Sequence, residues 1–222
     1  INGITTGGWL DYAKKIEQAG ADAIELNIYY IPTDSKLTSL DVENRYIEIL
    51  SALKQIIRIP IAVKLSPYFS SFANFATRLV NAGADGLVLF NRFYQPDINL
   101  DNLEVEPNIN FSTSTEIKLP LRWIAILYNR IKCSFAATSG VHTAEDAIKL
   151  IMVGSDVVMM CSALLKNGPH YLKSVLDGID KWMLEHEYTS IQQMKGSMSQ
   201  KSVLDPAAFE RANYMKALNR FK

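Results

Sequence analysis

The chain has 222 residues, with 23 basic side chains against 23 acidic ones and a hydrophobic fraction of 48%. This composition is too apolar for a disordered chain, and no apolar run is long enough to cross a membrane. Zero formal net charge gives no general attraction to nucleic acid or to an acidic membrane surface, so neither partner is expected. Two cysteines are too few for a disulfide framework. We therefore expect a reduced, cytoplasmic protein built as a single domain.

A weak internal repeat predicts the fold. Three stretches, at residues 19–27, 82–91 and 153–161, place a glycine two residues before an aspartate and then continue as an apolar run. Each follows an amphipathic segment, which indicates a helix ended by a left-handed glycine, a short turn and a buried strand. The intervals between the repeats each hold two units of about 30–35 residues, the size of a βα unit. Strands that alternate with helices at this period predict a parallel sheet.

The predicted strands are 23–28, 61–66, 86–91, 133–139 and 156–161. Residues 95–110, with two prolines and several Asn and Asp, are predicted to form a loop insertion or a small hairpin. Thr143 with Asp146 three residues later predicts a helix N-terminus, and Pro120 and Pro169 mark two further helix starts. The three histidines fall in a loop or on helices, where surface positions are expected.

Two α/β architectures fit this order, an open doubly wound sheet and a closed (β/α)₈ barrel. One face of the first strand carries Glu25 and Asn27, one face of the second carries Lys64, and the opposite faces are aliphatic. An open sheet covered on both faces should be apolar on both. Small and polar residues near the carboxyl ends of strands instead match the interior of a barrel enzyme. We therefore predict a (β/α)₈ TIM barrel.

Three polar residues at strand ends are candidates for ligand contact. Lys64 lies in an apolar run, and a lysine there is either paired, for instance with Glu25, or aimed at a ligand from the top of the barrel. Asn27 and Asn91 each end an apolar strand, where an amide needs hydrogen-bond partners. Those partners are either a ligand or the backbone of the following loop.

Small residues at the ends of the last two predicted strands indicate a phosphate site. Ser139 and Gly140 follow one strand, and Cys161 and Ser162 follow the next. Small residues expose backbone N–H groups, and Ser162 can open a short helix over residues 163–166. Loops after the last two strands of a barrel commonly hold phosphate in this way.

Six short motifs, in chain order, carry a family resemblance. They are Glu-Leu-Asn at 25–27, Val-Lys-Leu-Ser-Pro-Tyr-Phe at 63–69, Thr-Ser-Gly-Val at 138–141, Asp-Ala at 146–147, Ser-Ala-Leu at 162–164 and Tyr-Thr-Ser-Ile at 188–191. With these motifs the chain resembles the class 1 dihydroorotate dehydrogenases, which are FMN-dependent (β/α)₈ barrels, over nearly all of its length.

The resemblance implies a function and a cofactor. It implies oxidation of dihydroorotate, or a related dihydropyrimidine, to orotate in pyrimidine biosynthesis by hydride transfer to FMN, with no metal and in a homodimer. Lys64 would lie beside the pyrimidine edge of the flavin, where a cation stabilises developing negative charge. The other implied roles are FMN contact by Asn27, FMN-phosphate binding by Ser139, Gly140, Cys161 and Ser162, and substrate binding by Asn27, Asn91 and Arg92.

The sequence departs from the family pattern at two positions. Arg92 follows Asn91 where the family has a small hydroxyl residue, so it either pairs with a carboxylate or signals a different substrate. The family's catalytic base is a Ser or Cys in the loop after the first asparagine. Counting from Asn27 puts Tyr30 in that position. A tyrosine acts as a base only if its pKa is strongly lowered, so Tyr30 is either the base or a residue that closes the pocket.

Two other functions stay open at this point. A lyase that uses Lys64 as a Schiff-base nucleophile would also need a lysine on a barrel strand. A flavin-binding barrel that has lost dihydroorotate turnover would account for the missing Ser or Cys.

The length suggests an incomplete barrel. A (β/α)₈ barrel has eight strands in about 250 residues, whereas five strands and the tail of a sixth at residues 1–3 are predicted here. We expect residues 1–205 to be the C-terminal portion of one FMN-binding barrel that lacks its first two to three strands. Residues 206–222 are predicted to form an appended C-terminal helix. On this view the 222 residues alone bind FMN weakly.

Overall fold

Helices and strands alternate along most of the chain. A computed structural model describes residues 1–3, 9–210 and 218–219. The elements are α1 (Trp9–Gln18), β1 (Ile24–Asn27), α2 (Ser39–Ile56), β2 (Ile61–Leu65), α3 (Phe72–Asn81), β3 (Gly86–Leu89), β4 (Gln95–Asn99), β5 (Glu104–Asn108), a 3₁₀ turn (Ser114–Ile117), α4 (Lys118–Leu127), β6 (Ser134–Ala137), α5 (Ala144–Val153), β7 (Val157–Val158), α6 (Ser162–Asn167), α7 (Tyr171–Glu185), α8 (Ile191–Met194) and a second 3₁₀ turn (Pro206–Phe209).

Five strands form one parallel sheet in the order β1-β2-β3-β6-β7. Residues 1–3 lie parallel to β1, because Asn27 N–H donates to Ile1 O at 2.7 Å and Gly3 N–H donates to Asn27 O at 3.2 Å. The predicted strand tail at residues 1–3 is therefore confirmed. Within the described residues the sheet is open, with β7 at one side and residues 1–3 at the other.

The two faces of the sheet differ in the way the sequence predicts. The register aligns Leu26 with Val63, Val63 with Leu87 and Leu87 with Phe135, and all four side chains are at most 1% exposed. They pack into one hydrophobic core with residues of the surrounding helices. The opposite face aligns Asn27, Lys64, Val88 and Ala136, and its polar members are only half-buried.

The repeated glycine and aspartate residues have separate physical roles. Gly20, Gly83 and Gly154 have φ values of 89°, 104° and 121°, so each ends its helix in a conformation that favours glycine. The carboxylate of Asp85 accepts from Ile61 N–H at 2.8 Å, while the N–H of Asp85 donates to Ile61 O at 2.9 Å. The aspartate of the repeat thereby joins the start of its strand to the neighbouring strand.

The same contact recurs in the third repeat, where the Asp156 carboxylate accepts from Phe135 N–H at 2.8 Å. A lysine neutralises each carboxylate: Lys195 Nζ lies 2.6 Å from Asp156, and Lys54 Nζ lies 3.0 Å from Asp85. Burial alone raises the pKa of the Asp85 carboxyl, but hydrogen bonds from the Ile61 N–H and Lys54 outweigh burial and leave that pKa below its ordinary value.

The first four predicted strands are each one to three residues shorter in the structure, and three further elements differ in where they begin or how long they are. β7 has two residues rather than six, because within the described residues only β6 pairs with it. α4 begins at Lys118, before Pro120, because a capping box between Thr113 and Glu116 already starts a 3₁₀ turn that leads into the helix. Proline is tolerated there because first-turn N–H groups lack helical partners. α7 begins at Tyr171, two residues after Pro169.

The capping box of Thr143 and Asp146 and the predicted hairpin, formed by β4 and β5, are confirmed. Pro206 opens a 3₁₀ turn rather than a long helix, and residues 211–217 and 220–222 of the predicted appended helix lie outside the described residues. None of the described helices has both the length and the hydropathy to cross a bilayer.

Candidate active site

A cavity of about 1140 Å³ opens at the carboxyl ends of β2, β3, β6 and β7. Parallel strands bring the loops that follow them to the same edge of the sheet, so residues far apart in sequence meet there. Seven residues singled out from the sequence line this cavity: Lys64, Asn91, Arg92, Ser139, Gly140, Cys161 and Ser162.

Lys64 is both paired with Glu25 and placed at the cavity, the two alternatives considered from the sequence. Its Nζ lies 3.8 Å from Glu25 Oε1, at the outer limit of an ion pair, and its side chain is 21% exposed. It also lines the cavity. The ammonium group is therefore partly neutralised by Glu25 and still accessible to a ligand.

Asn27 and Asn91 are joined directly. Asn91 Nδ2 donates to Asn27 Oδ1, and Asn27 Nδ2 donates to Asn2 Oδ1 at 2.8 Å. Asn91 lines the cavity, whereas Asn27 is not among the lining residues. Asn27 thus orients the Asn91 amide, whose carbonyl oxygen accepts no hydrogen bond from the described residues.

Arg92 reaches the cavity with its guanidinium group already engaged. Nε lies 2.9 Å from Glu116 Oε2, and Nη1 donates to the backbone carbonyl of Asn110. Arg92 therefore ties the end of β3 to the segment that follows the hairpin. A ligand carboxylate at this position competes with Glu116.

Tyr30 is not among the residues that line the cavity. Its ring packs against the hydrophobic core, and the guanidinium carbon of Arg45 lies 4.8 Å from the ring centroid. Tyr29 lines the cavity instead, and its hydroxyl accepts from Tyr94 N–H at 3.0 Å.

An aromatic wall, formed by Tyr29, Phe93 and Tyr68, borders the cavity and was missed by the sequence analysis. The Phe93 ring centroid lies 4.2 Å from that of Tyr29 and 5.8 Å from that of Tyr68. These residues follow three different strands, β1, β2 and β3. If the alternation of side chains in β1 is continued past the end of the strand, it places Tyr29 on the same side as Asn27.

Backbone N–H groups collect at the end of β6. Ser139 and Gly140 both have a φ of 80°, and among the described residues the N–H groups of Ser139, Gly140 and Val141 donate to no protein acceptor. A Cβ at position 140 would lie 2.6 Å from Ile117 N, so only glycine fits. Unpaired N–H groups of successive residues in one loop form a site suited to an anion.

A strap, defined as residues 110–114, crosses the same end of the cavity and was also missed. Ser112 N–H donates to Ser162 Oγ at 3.1 Å, and Ser112 Oγ lies 3.0 Å from His142 Nε2. Ser112 lines the cavity and is 5% exposed. His142 is half-buried, and its carbonyl accepts from the Tyr171 hydroxyl.

Comparison with known proteins shows the family to which the chain belongs. The sequence profile of the family described as dihydroorotate dehydrogenase matches residues 1–183. The chain belongs to this family. The catalytic subunit of dihydroorotate dehydrogenase B (NAD(+)) from Endomicrobium trichonymphae is 26% identical over 205 residues, covering 90% of this chain and 66% of the relative. The subunit of the same name from Sulfolobus acidocaldarius is 26% identical over 205 residues, covering 88% and 67%.

A solved dihydroorotate dehydrogenase, that of Eimeria tenella in complex with ferulenol, shares the fold. The TM-score is 0.65 at 18% sequence identity, and the match covers 84% of this chain and 57% of the other. The predicted barrel class is therefore confirmed, and the described strands form an open part of a dihydroorotate dehydrogenase barrel. The chain spans about two thirds of the length of the curated relatives named above.

Proposed function

We propose that this chain carries the FMN-binding and substrate-binding residues of a dihydroorotate dehydrogenase that oxidises dihydroorotate to orotate. The observation that carries this proposal is one cavity that gathers a cation, a preoriented amide and a row of unpaired N–H groups. These are Lys64, Asn91 and the loop over residues 139–141. Family membership gives the reaction class, and the cavity supplies the groups that such a reaction needs.

The donors at the end of β6 fit the phosphate of FMN. A phosphate group only accepts hydrogen bonds, and the N–H groups of Ser139 and Gly140 only donate them. The hydroxyl of Ser162 adds a further donor, since its oxygen already accepts from Ser112 N–H. Cys161 lies beside Ser162 on the same wall. When bound, FMN supplies the electron acceptor for hydride removal from a substrate carbon.

Lys64 and the asparagines would act at the other end of the cavity. Lys64 would stabilise negative charge at the flavin ring, since its ammonium is only weakly paired with Glu25. Asn91 would hydrogen-bond the substrate, with Asn27 holding its amide in place. Arg92 would contribute positive charge near the substrate carboxylate, reduced by its pairing with Glu116.

Two tyrosines of the loop after β1 are candidates for the base. Tyr30 is proposed from its distance along the sequence after Asn27, whereas Tyr29 is the tyrosine of this loop that lines the cavity. This difference favours a second candidate function, a flavin-binding barrel without dihydroorotate turnover.

Anaerobic mixing with dihydroorotate tests the proposed reaction. We expect the FMN-loaded protein to lose its visible flavin absorbance at a saturable rate. Stable FMN binding with no loss of absorbance would favour the barrel without turnover. Tyr29→Phe and Tyr30→Phe variants then locate the base, because only the variant that lacks the base loses its reductive rate.

A homodimer and a cytoplasmic location belong to the same proposal. The homodimer rests on the family resemblance, and light scattering of the purified chain tests it. The cytoplasmic location is supported by the two free cysteines, Cys133 and Cys161.

A further inference from the structure

We propose that Ser112 is an additional phosphate-binding residue of the cavity, and that His142 is the positioning residue that directs the Ser112 hydroxyl proton toward the ligand. This inference rests on the proposed binding of FMN. It starts from the 3.0 Å contact between Ser112 Oγ and His142 Nε2 at the cavity wall.

The strap is held firmly enough to place Ser112. Three residues of the strap make polar contacts with distant segments: Asn110 O accepts from Arg92, Ser112 N–H donates to Ser162 Oγ, and Ser114 Oγ donates to Asp146 at 2.7 Å. Asp146 is 3% exposed and Ser114 is exposed, so the last of these contacts is partly buried.

The strap also lies against the loop that carries the unpaired N–H groups. A Cβ built on Gly140 would be 2.9 Å from Thr113 O, the residue next to Ser112. Ser112 N–H and Ser162 Oγ are 3.1 Å apart. The Ser112 hydroxyl therefore shares its wall of the cavity with the Ser162 hydroxyl and with the Ser139–Gly140 peptide.

The chemistry of a phosphate fixes the direction of the Ser112–His142 hydrogen bond. A serine hydroxyl has one proton, and a phosphate oxygen requires that proton because it only accepts. His142 must then donate from Nε2 to Ser112 Oγ. The backbone of His142 is held on both sides, because its N–H donates to Asp146 at 3.0 Å and its carbonyl accepts from the Tyr171 hydroxyl at 3.0 Å, and its ring contacts Ser112 Oγ through Nε2.

Comparison of FMN with riboflavin, which lacks the phosphate, tests the inference by titration of flavin fluorescence. We expect the wild type to prefer FMN and Ser112→Ala to lower that preference by about 10-fold to 100-fold, as for loss of one charge-assisted hydrogen bond. His142→Phe removes the donor and is expected to have a similar effect. His142→Gln keeps an amide donor and is expected to stay within about twofold of the wild type.

Ser114→Ala is the matched control, since it removes a strap hydrogen bond that does not reach the cavity. It should lower stability but leave the ratio of FMN to riboflavin affinity unchanged. An unchanged ratio in Ser112→Ala, or an equal fall in Ser114→Ala, would overturn the inference while leaving flavin binding intact. Failure of the wild type to bind either flavin would overturn both the inference and the proposed function.

The tautomer of His142 provides a second measurement that does not depend on affinity. We expect ¹⁵N NMR of the FMN-loaded protein to show a proton on Nε2 of His142. A ring protonated only at Nδ1 would contradict the inference, because Ser112 would then donate to His142 rather than to the ligand.

Discussion

Lys64 and Glu25 lie on neighbouring strands with 3.8 Å between Nζ and Oε1, and both side chains are on the half-buried face of the sheet. The two side chains are 21% and 36% exposed. Ion pairs of such exposure and length contribute between about 0 and 1 kcal/mol. The pair therefore contributes little to folding and leaves the Lys64 charge available to a ligand.

Lys64→Met is expected to separate these two roles. The free energy of unfolding should change by less than about 1 kcal/mol, since the ion pair is weak. The rate of flavin reduction should fall about 100-fold, because the variant lacks the cation that we propose stabilises the developing charge. Stopped-flow absorbance and urea unfolding measure the two quantities. Glu25→Gln is the control, and a fall in rate as large as that of Lys64→Met would assign the effect to the pair rather than to Lys64.

The Arg92–Glu116 pair makes a prediction about affinity for carboxylate ligands. Glu116→Gln removes the charge that competes for Arg92, while its amide oxygen can still accept from Thr113 N–H, which Glu116 bonds at 2.9 Å. The dissociation constant for orotate should fall about fivefold, which corresponds to a partly exposed ion pair. Calorimetric titration measures this change. The double variant Arg92→Gln/Glu116→Gln should lose the gain, and equal tightening in both variants would show that Arg92 is not its source.

Gly140 is expected to be intolerant of any side chain. Gly140→Ala places a Cβ at a φ of 80° and 2.6 Å from the backbone nitrogen of Ile117. We expect a loss of at least about 2 kcal/mol in unfolding free energy, because a backbone neighbour cannot move aside as a flexible side chain does. Gly20→Ala is the matched control, since φ is 89° and no atom lies within 4 Å of its Cβ. Equal losses in the two variants would leave only the left-handed conformation as the cause.

Much of the architecture follows from the sequence because it depends on local pattern. The alternation in β1 and β2 separates the aliphatic face from the face of Asn27 and Lys64, and the repeated glycines predict helix ends. These signals are local. Strand alternation has a two-residue period and a glycine marks the end of a helix, so both can be recognised in one sequence. Small size and a place at strand ends predict the cavity residues Ser139, Gly140, Cys161 and Ser162.

The missed residues depend on contacts between distant segments. Ser112 and His142 are 30 positions apart, and neither belongs to a periodic pattern. Phe93 reaches Tyr29 across 64 positions because β1 and β3 end at the same edge of the sheet. For Tyr29 a usable signal existed, since alternation from Asn27 selects it, whereas counting by family resemblance selects Tyr30.

The two cysteines differ in surroundings, which predicts selective alkylation. Cys161 is exposed and lines the cavity. Cys133 is half-buried, and burial, with a smaller effect from the Asp156 charge, raises the pKa of its thiol to about 12. A raised pKa keeps a thiol protonated as the pH rises, and at pH 8 only about one Cys133 in ten thousand would be thiolate. Iodoacetamide should therefore modify Cys161 and spare Cys133.

FMN should slow the alkylation of Cys161 about tenfold, because the phosphate is proposed to bind beside Ser162 on the same wall. Mass spectrometry of tryptic peptides with and without FMN measures both rates. Cys161→Ser is the control and should take up no label at pH 8. Any label that it does take up would come from Cys133, exposed when the protein unfolds. Equal labelling of Cys161 in the presence of saturating FMN would contradict the location of the phosphate, because a ligand seated there covers the sulfur.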